Sequence, residues 1–386
     1  MKLLYLTHRC PYPPNKGERI RCFHILQHLA QRYETELVYP AFSAEDVQYG
    51  DTLRNYTHSV VTVPLHPLVA KLKCLAGLFS STSLTARYFS SKKLQALLDT
   101  RQFDVALADC SSMAQYFLDL HKPRLIDFVD VDSEKWKLYA QQSGILHAII
   151  YQQEYRRLQA FEAHINRTFD ACLVVSEEEK QLLPYPGNVT VMPNGIDCQF
   201  FSPRDLRHED TLIFTGAMNY WPNIDAMTHF CRDIWPLVHA QRPHVRLLIA
   251  GMEPTPQIQA LGNTNILVTG YVPDMRDYLA QATVCVVPLR IARGLQNKIL
   301  EAMAMGIPVV ATTVANTGIQ ARDQQHLLLA DHPADFARAI VTLLQDSQRR
   351  QTMARQARQF VEEHFSWATH LQTLDTLIAR VSHTST

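Results

Sequence analysis

The sequence predicts an α/β protein in two halves, each built on a parallel sheet. Short apolar runs bounded by Gly, Pro or Asn alternate with longer amphipathic segments in both halves, which is typical of strands joined by helical crossovers. A hydrophobic content of 47% with only 13 glycines suits a compact protein. With 386 residues, the chain is long enough for two domains that each have a core.

The first half contains six candidate strands, and helical stretches separate them. We place these strands at 2–7, 36–39, 59–63, 105–108, 125–128 and 171–175. Because consecutive parallel strands need right-handed crossovers, this order predicts a Rossmann-like sheet. A long helix is expected at 151–168, and the pattern Ser176 to Glu179 matches a capping box at the start of another.

The second half repeats the alternation after a short strand at 189–191. Its candidate strands lie at 211–215, 245–250, 266–269, 284–287 and 308–311, with a helix at 224–239. A further helix is expected at 295–305, where apolar residues recur at helical spacing until Gly306 and Pro308 end it.

The helix at 295–305 carries the polar residues that most suggest chemistry. A helix that follows a strand through a glycine loop directs free N–H groups and a positive dipole end at whatever lies above the sheet, and a phosphate suits that position. Asn297 and Glu301 share one face and Lys298 adjoins it, so phosphates at the tip and a ribose on the flank are one possibility. An ordinary helix with Lys298 and Glu301 in water is the other.

Composition excludes several classes of function. Lys+Arg and Asp+Glu both number 37, so no overall charge favours nucleic acid. The eight cysteines form no C-x-x-C pair, and neither a zinc site nor a disulfide framework is visible; we expect no metal and no cofactor. The start, MKLLYLTHRC, has too short an apolar run for a signal peptide, and we expect a cytoplasmic protein.

The segment 65–94 contains lysine and arginine among apolar residues, and it has no acidic residue. This composition indicates either peripheral contact with the inner membrane or an ordinary helical excursion.

Several motifs together resemble the GT-B glycosyltransferases, in particular glycosyltransferase family 4. The run LEAMAMGIPVVAT at 300–312 is similar to the family's nucleotide-sugar helix, and Asn297-Lys298 before it is closest to sugar transferases associated with exosortase (PEP-CTERM) exopolysaccharide clusters. The segment 189–197 resembles the family's interdomain hinge. The resemblance therefore implies two Rossmann-like domains facing across a cleft, an acceptor-side domain at 1–187 with a C-terminal crossover helix at 365–386, and a donor domain at 188–364.

The resemblance also implies roles for named residues. Donor-binding residues would be Gly216, Asn219, Tyr271, Val272, Arg290, Arg293, Gly294, Leu295, Gln296, Asn297, Lys298 and Glu301. Catalytic roles would fall to Asp130, Lys298 and Glu301, and the acceptor or phosphate side would include His8, Lys16, Gly17, Arg21 and Asp132. The chain departs from the family at two places: Arg293 replaces a glutamate, and the loop 216–223 lacks the usual Arg and Lys. Lys298, Arg293 or Arg290 would then supply the positive charge.

Each polar group on the acceptor side keeps a second interpretation. The basic residues near Gly17 can instead be solvent-exposed side chains on the first turn of a helix. Asp130 can act as the base for an acceptor hydroxyl or contact the donor ring, whereas Asp132 and Ser133 are also suited to capping the next helix. Asp130-Val131-Asp132 spells D-x-D, but it falls in the other predicted domain from the donor helix, so we expect a metal-independent reaction.

The predicted function is transfer of a sugar, with retention, from an NDP-sugar to a glycan or lipid-linked acceptor in exopolysaccharide or cell-surface polysaccharide biosynthesis. Two alternatives stay open. A nucleotide-sugar epimerase has the same architecture and would use groups such as His8 and Asp130. A catalytically silent nucleotide-sugar-binding subunit would explain Arg293 and the missing cations.

Overall fold

A computed structural model describes residues 1–14, 17–77, 80–142, 144–204, 210–292 and 295–383. The chain forms two compact units. The N-terminal unit comprises Met1–Asn194 with His370–Thr386, and the C-terminal unit comprises Gly195–Thr369. The predicted α/β class with two parallel sheets is confirmed. No helix of the described ranges combines the length and apolar character needed to cross a bilayer.

The N-terminal unit is a seven-stranded parallel sheet in the order β3-β2-β1-β4-β5-β6-β7. Its elements are β1 (Lys2–Leu6), α1 (Gly17–Ala30), β2 (Glu34–Ala41), α2 (Ala44–Leu53), β3 (Ser59–Pro64), α3 (Pro67–Gly77), α4 (Leu84–Phe89), α5 (Lys92–Asp99), β4 (Val105–Asp109), α6 (Ser111–Ala114), β5 (Arg124–Val129), α7 (Asp132–Gln142), α8 (Ile145–Thr168), β6 (Ala171–Val174), α9 (Glu177–Leu182) and β7 (Val189–Val191). Tyr5 of β1 pairs with Leu37 on one side and Leu107 on the other. Strand order therefore reverses between β1 and β4.

The C-terminal unit is a six-stranded parallel sheet in the order β10-β9-β8-β11-β12-β13. Its elements are β8 (Thr211–Thr215), α10 (Trp221–His229), α11 (Trp235–Gln241), β9 (Arg246–Ala250), α12 (Pro256–Gln259), β10 (Ile266–Gly270), α13 (Met275–Leu279), β11 (Val284–Val287), α14 (Asn297–Ala304), β12 (Val309–Ala311), α15 (Thr313–Asn316), β13 (Leu328–Leu329), α16 (Pro333–Gln345) and α17 (Ser347–His364). A last helix, α18 (Trp367–His383), starts here, and its residues from His370 belong to the N-terminal unit.

Apolar runs become central strands because both faces of each sheet are covered. Leu4, Leu6 and Ile126 have no exposed surface, and Ile213, Val286 and Val310 have none in the other unit. Helix α14 is amphipathic, with Ile299, Leu300 and Met303 buried against that second core. The sequence pattern therefore fixes which face of α14 is left for polar groups.

One predicted helix is wrong in detail. Residues 224–239 do not form a single α-helix, since a π-helical turn at Phe230–Ile234 separates α10 from α11. Pro236 lies in the first turn of α11 and lacks an amide N–H, so the α-helical hydrogen-bond ladder cannot run through it.

Candidate functional site

The reversal point of the N-terminal sheet brings a histidine to a buried carboxylate. His8 follows β1 and Asp109 ends β4, so both lie at the carboxyl edge between the two central strands, where open α/β sheets bind ligands. His8 Nδ1 is 2.5 Å from Asp109 Oδ2, and the His8 amide also donates to that oxygen at 3.4 Å. His8 Nε2 lies 4.0 Å from Glu18, the nearest acid on α1.

Charge and burial set the protonation of this pair. Burial lowers the pKa of His8, but the charge of Asp109 and the hydrogen bond to it outweigh burial, and the net pKa is raised from 6.5. Burial raises the pKa of the Asp109 carboxyl, but the same contact with His8 more than offsets this and lowers it. Asp109 thus stays ionised and holds a proton on His8 Nδ1, which leaves Nε2 to accept or donate a proton.

His8 and Asp109 line a cavity of about 500 Å³ within the N-terminal unit. On its far wall Lys135 approaches Asp132 at 2.9 Å and Asp130 at 3.6 Å, and the Trp136 indole adds an apolar surface. The complete lining is His8, Arg9, Glu18, Thr85, Phe89, Asp109, Cys110, Ser112, Phe128, Val129, Asp130, Asp132, Lys135, Trp136, Tyr139 and Asn194. A cavity with one aromatic wall and several carboxylates is suited to a molecule rich in hydroxyl groups.

Two lining residues have strained backbone. Cys110 and Val129 have φ of 65° and 64°, a region that is unfavourable for a β-branched residue such as Val129. Cys110 directly follows β4, and Val129 is the last residue of β5. Two residues beyond Val129, an amide is fixed from outside: Glu179 Oε2 accepts from Val131 N at 2.6 Å. Of the capping box predicted at Ser176, only one bond forms: the Ser176 side chain accepts from the Glu179 amide. The Glu179 carboxylate instead binds the loop that carries Asp130.

Cys110 also approaches His8, with Sγ 3.4 Å from Nδ1. The ligand atoms of His8, Asp109 and Cys110 lie within 4.8 Å of one another. Burial raises the pKa of the Cys110 thiol well above 9, and His8 Nδ1 is already engaged by Asp109. A protonated thiol and an occupied imidazole nitrogen are a poor donor set for a metal ion, and we assign none.

Arg21 has a structural role in place of the expected ligand contact. Its side chain is fully buried, and its Nε and Nη2 donate to the two carboxylate oxygens of Asp127, at 2.6 Å and 2.9 Å. The remaining guanidinium nitrogen donates to Met192 O and Asn194 Oδ1. With every nitrogen occupied, Arg21 is not available to a phosphate or acceptor, and the prediction that placed it there is wrong.

The reversal point of the C-terminal sheet lies between β8 and β11, and it holds Lys298 and Glu301 of α14. Lys298 Nζ donates to Asn223 Oδ1 at 2.6 Å and lies 4.2 Å from the ring centroid of Phe214. Burial lowers the pKa of Lys298 to about 8. Burial likewise raises the pKa of Glu301 to about 7, against the opposing charge of Lys298. Both charges are therefore poorly solvated, and a ligand with matching groups would stabilise them.

Two glycines make room for Lys298. Gly251 has φ 151°, and a Cβ atom there would lie 1.7 Å from Gly216 O. Gly216 has φ 153°, and its Cβ would meet Asn223 Nδ2 at 2.7 Å and Lys298 Nζ at 3.2 Å. The loops after β8 and β9 therefore lie closer together than any residue with a Cβ atom would allow, and the position of Lys298 depends on this close packing.

The other predicted donor residues are distributed around this edge. Arg290 binds Asp225 through both ends of its guanidinium, and Asn219 donates to Glu253, so each already has a partner. Tyr271 is exposed whereas Val272 is buried, and Asn297 is exposed beside the partly buried Leu295 and Gln296. Lys16, Arg293 and Gly294 lie outside the described residues, and Gly17 begins α1.

Sequence reasoning missed three residues that organise these sites: Asp109, Glu179 and Asn223. Asp109 is the last residue of an apolar strand, and an acid at the carboxyl end of a parallel strand is a signal that could have found it. In the sequence Glu179 stands out only for a capping box and Asn223 only as the end of the loop 216–223, because their observed partners lie 48 and 75 residues away, beyond the reach of local patterns.

A comparison with known protein families finds a match within the C-terminal unit. Residues 209–346 match the family described as Glycosyl transferases group 1. The matched segment makes up most of the C-terminal unit. It contains the Lys298–Glu301 site together with both glycines that shape it.

Whole-chain likenesses extend to both units. An uncharacterized 44.6 kDa protein in the cps region of Klebsiella pneumoniae is 20% identical over 385 residues, which cover 94% of this chain and 96% of that protein. Anabaena HepE in complex with UDP-glucose matches with a TM-score of 0.64 at 17% identity, over 98% of this chain and 100% of that one. Sucrose-phosphate synthase from Thermosynechococcus elongatus matches with a TM-score of 0.65 at 16% identity, over 99% of each chain. The GT-B architecture is thereby confirmed as the fold.

Proposed function

We propose that this chain is a glycosyltransferase that moves a sugar from a nucleoside-diphosphate sugar to a glycan or lipid-linked acceptor. The observation that carries the proposal is that the segment similar to the group 1 family includes α14, whose Lys298 and Glu301 lie at the reversal point of its sheet. Departure of a nucleoside diphosphate leaves charge on phosphate oxygens, and a helix N-terminus with a fixed cation stabilises it.

The donor class is supported by chemistry and by relatives. Lys298 is poorly solvated because of burial, and a diphosphate would restore its charge, while ionised Glu301 could accept hydrogen bonds from ribose hydroxyls. HepE has been crystallised with UDP, with UDP and glucose, and with UDP-glucose. We therefore place UDP-sugars first among the donors to be tried.

The finer assignments are also proposals. We infer membership of glycosyltransferase family 4, with a role in exopolysaccharide or cell-surface polysaccharide synthesis, from the motifs of the sequence and from the relative in the cps region. As this family resemblance implies, the reaction would retain the anomeric configuration and need no metal ion. It would take place in the cytoplasm or against the inner face of the membrane.

The test is release of nucleoside diphosphate from UDP-, GDP- and ADP-sugars by the full chain, with and without crude lipid or polysaccharide acceptor. Lys298→Met and Glu301→Gln should abolish acceptor-stimulated release. The pair Lys137→Met and Glu134→Gln is the matched control, because Lys137 and Glu134 also form a helical lysine–glutamate pair, in α7 of the other unit. These control variants should behave as wild type.

The other candidate functions give different results in the same assay. An epimerase would convert a donor to its epimer with no acceptor present and would release no diphosphate. A silent binding subunit would bind a donor without turning it over. Either outcome, or release that survives both α14 variants, would contradict the transferase proposal.

A further inference from the structure

Helix α3 of the N-terminal unit holds its large apolar side chains outward. Leu68, Val69 and Leu72 lie on one face of this helix and are 74%, 50% and 64% exposed. The opposite face carries the small residues Ala70 and Gly77, which are buried. A surface helix of a globular protein normally has the reverse arrangement, with its large apolar residues toward the core. The outer face of α3 is therefore suited to an apolar neighbour.

Contacts on the inner face of α3 fix this orientation. Lys73 Nζ donates to Ser90 O at 2.8 Å, and Cys74 Sγ donates to Leu84 O at 3.4 Å. Both acceptors belong to the chain that follows α3, at the two ends of α4. A rotation of α3 that buried its large apolar residues would break both bonds, so the apolar face is held outward by the fold.

The charges beside this face are positive. Lysine and arginine are the only charged residues in the sequence from 65 to 94. Lys71 is exposed on α3, and Lys92 and Lys93 are exposed in the first turn of α5. These two lysines follow Ser90, which binds Lys73, by two and three residues, so they lie within about 11 Å of it. The apolar face is consequently bordered by cations.

An acid that contacts this segment does not neutralise the surface lysines. Glu154 of α8 is fully buried, and its carboxylate accepts from Ser83 Oγ, Leu84 N and Thr85 N at 2.7–2.9 Å. A carboxylate bound in this way by buried donors is withdrawn from the surface. The positive charge beside α3 is thus left for a partner that carries negative charge.

We propose that α3 and the start of α5 form a docking surface for a membrane that contains anionic lipids. The docking surface consists of Leu68, Val69, Lys71, Leu72, Lys92 and Lys93. Its apolar residues would enter the boundary between headgroups and acyl chains, and its lysines would contact the negatively charged headgroups. This inference concerns a surface of the N-terminal unit and does not depend on the proposed transferase function.

A second copy of the chain fits the docking surface less well than a lipid surface does. In a two-fold interface each patch meets the same patch of its partner, so lysines would approach lysines. A bilayer with anionic lipids instead presents the opposite charge along the whole border of the apolar face. Charge complementarity therefore favours the membrane.

The first experiment measures sedimentation of the full-length protein with vesicles of phosphatidylcholine, with or without phosphatidylglycerol. Binding should require phosphatidylglycerol and should weaken at high salt, because ions screen the lysines. Replacing Lys71, Lys92 and Lys93 with Gln should lower the partition coefficient about fivefold for each lysine removed. The control is Lys2→Gln, since Lys2 is an exposed lysine outside the docking surface, and it should bind as wild type.

The second experiment tests the apolar face with a matched pair of double variants. Leu68→Ser with Leu72→Ser should lower the partition coefficient by about tenfold or more. The control is Ile145→Ser with Ile149→Ser in α8, because these residues have the same spacing and are 82% and 62% exposed. The sequence from 138 to 153 contains no charged residue, so this control should bind as wild type.

The third measurement tests whether α3 enters the bilayer. Fluorescence of Leu72→Trp should be quenched by brominated lipid more strongly than that of the wild type. Ile149→Trp, the corresponding change in α8, should show no added quenching. All of these substitutions are at exposed positions, so thermal melts of the variants should match the wild type.

The proposal is overturned if the wild type does not bind vesicles that contain phosphatidylglycerol, or if binding survives in the lysine and leucine variants. Equal loss of binding in the α8 control would also overturn it, because apolar exposure alone would then suffice. If the α3 variants change the oligomeric state in solution but not vesicle binding, a second copy is the occupant. Vesicle binding is measured without donor or acceptor, so its failure is distinct from failure of the transferase proposal.

Discussion

Replacing Arg21 with methionine should destabilise the N-terminal unit without affecting nucleotide binding by the C-terminal unit. Arg21 and Asp127 are 0% exposed, and the variant would leave the Asp127 carboxylate and the Met192 carbonyl without their main donor. Loss of one partner of a buried ion pair costs about 3–5 kcal/mol, so we expect a free energy of unfolding about 4 kcal/mol lower.

The loss should depend on pH. Burial raises the pKa of Asp127 even though Arg21 opposes this, so without Arg21 the carboxyl would hold a proton to still higher pH. A group whose pKa is raised in the folded state stabilises that state at low pH and less as pH rises. Arg21→Met should therefore be closest to wild type in acid, and the double variant with Asp127→Asn should recover part of the stability at neutral pH.

Hydrogen exchange in peptides from β4 and β5, followed at increasing urea, reports on this unit alone. The matched control is Arg101→Met, because Arg101 forms a partly exposed pair with Glu36 at 3.6 Å in the same unit. An exposed pair of this kind contributes less than about 1 kcal/mol. The reasoning is refuted if Arg21→Met loses no more stability than Arg101→Met, or if it weakens donor binding while exchange is unchanged.

Three further predictions follow from individual contacts. Burial raises the pKa of Glu162 to about 8, and one of its carboxyl oxygens has no hydrogen bond. The free energy of unfolding of the wild type should therefore fall between pH 4.5 and 8, by up to about 1.4 kcal/mol per pH unit. Thermal melts of Glu162→Gln should show no such fall. Gly251→Ala should unfold the C-terminal unit or block donor binding in calorimetry, because its Cβ would overlap Gly216 O, whereas Gly187→Ala, with no atom within 4 Å, should do neither. Burial places the pKa of Glu301 at about 7 and that of Lys298 at about 8, so donor affinity should rise as Glu301 ionises, be highest between these two values and fall as Lys298 loses its proton. Glu301→Gln should remove the rise and keep the fall.

The positions of strands and helices were largely predictable because they depend on local patterns. Central parallel strands are apolar on both faces and short, which made β1, β8 and β11 recognisable from composition alone. The helix α14 was predicted at 295–305 and spans Asn297–Ala304, because Gly306 and Pro308 end it by local chemistry. In contrast, the two-residue β13 is too short to leave a periodic signal.

The sites were predictable only where the polar group and its position occur in one segment. Lys298 and Glu301 share a helix, so their joint placement followed from helical geometry. His8 and Asp109 are 101 residues apart, and their contact exists because β1 and β4 are neighbours in the sheet, which sequence periodicity does not reveal. Arg21 was misassigned for the same reason, since its partner Asp127 lies 106 residues away.

The energetic cost of the N-terminal cavity argues for chemistry there as well as binding. Cys110 and Val129 both have unfavourable backbone angles, and His8 and Asp109 place ionisable groups out of water. Strain and buried charge each lower stability and persist where function requires them. A subunit that only bound a nucleotide sugar could do so with the Lys298–Glu301 site of the C-terminal unit and would gain nothing from an oriented imidazole elsewhere. A transferase would bind an acceptor as well as a donor, so under the proposed function the strained and charged cavity of the N-terminal unit has a use that a donor-binding subunit would lack.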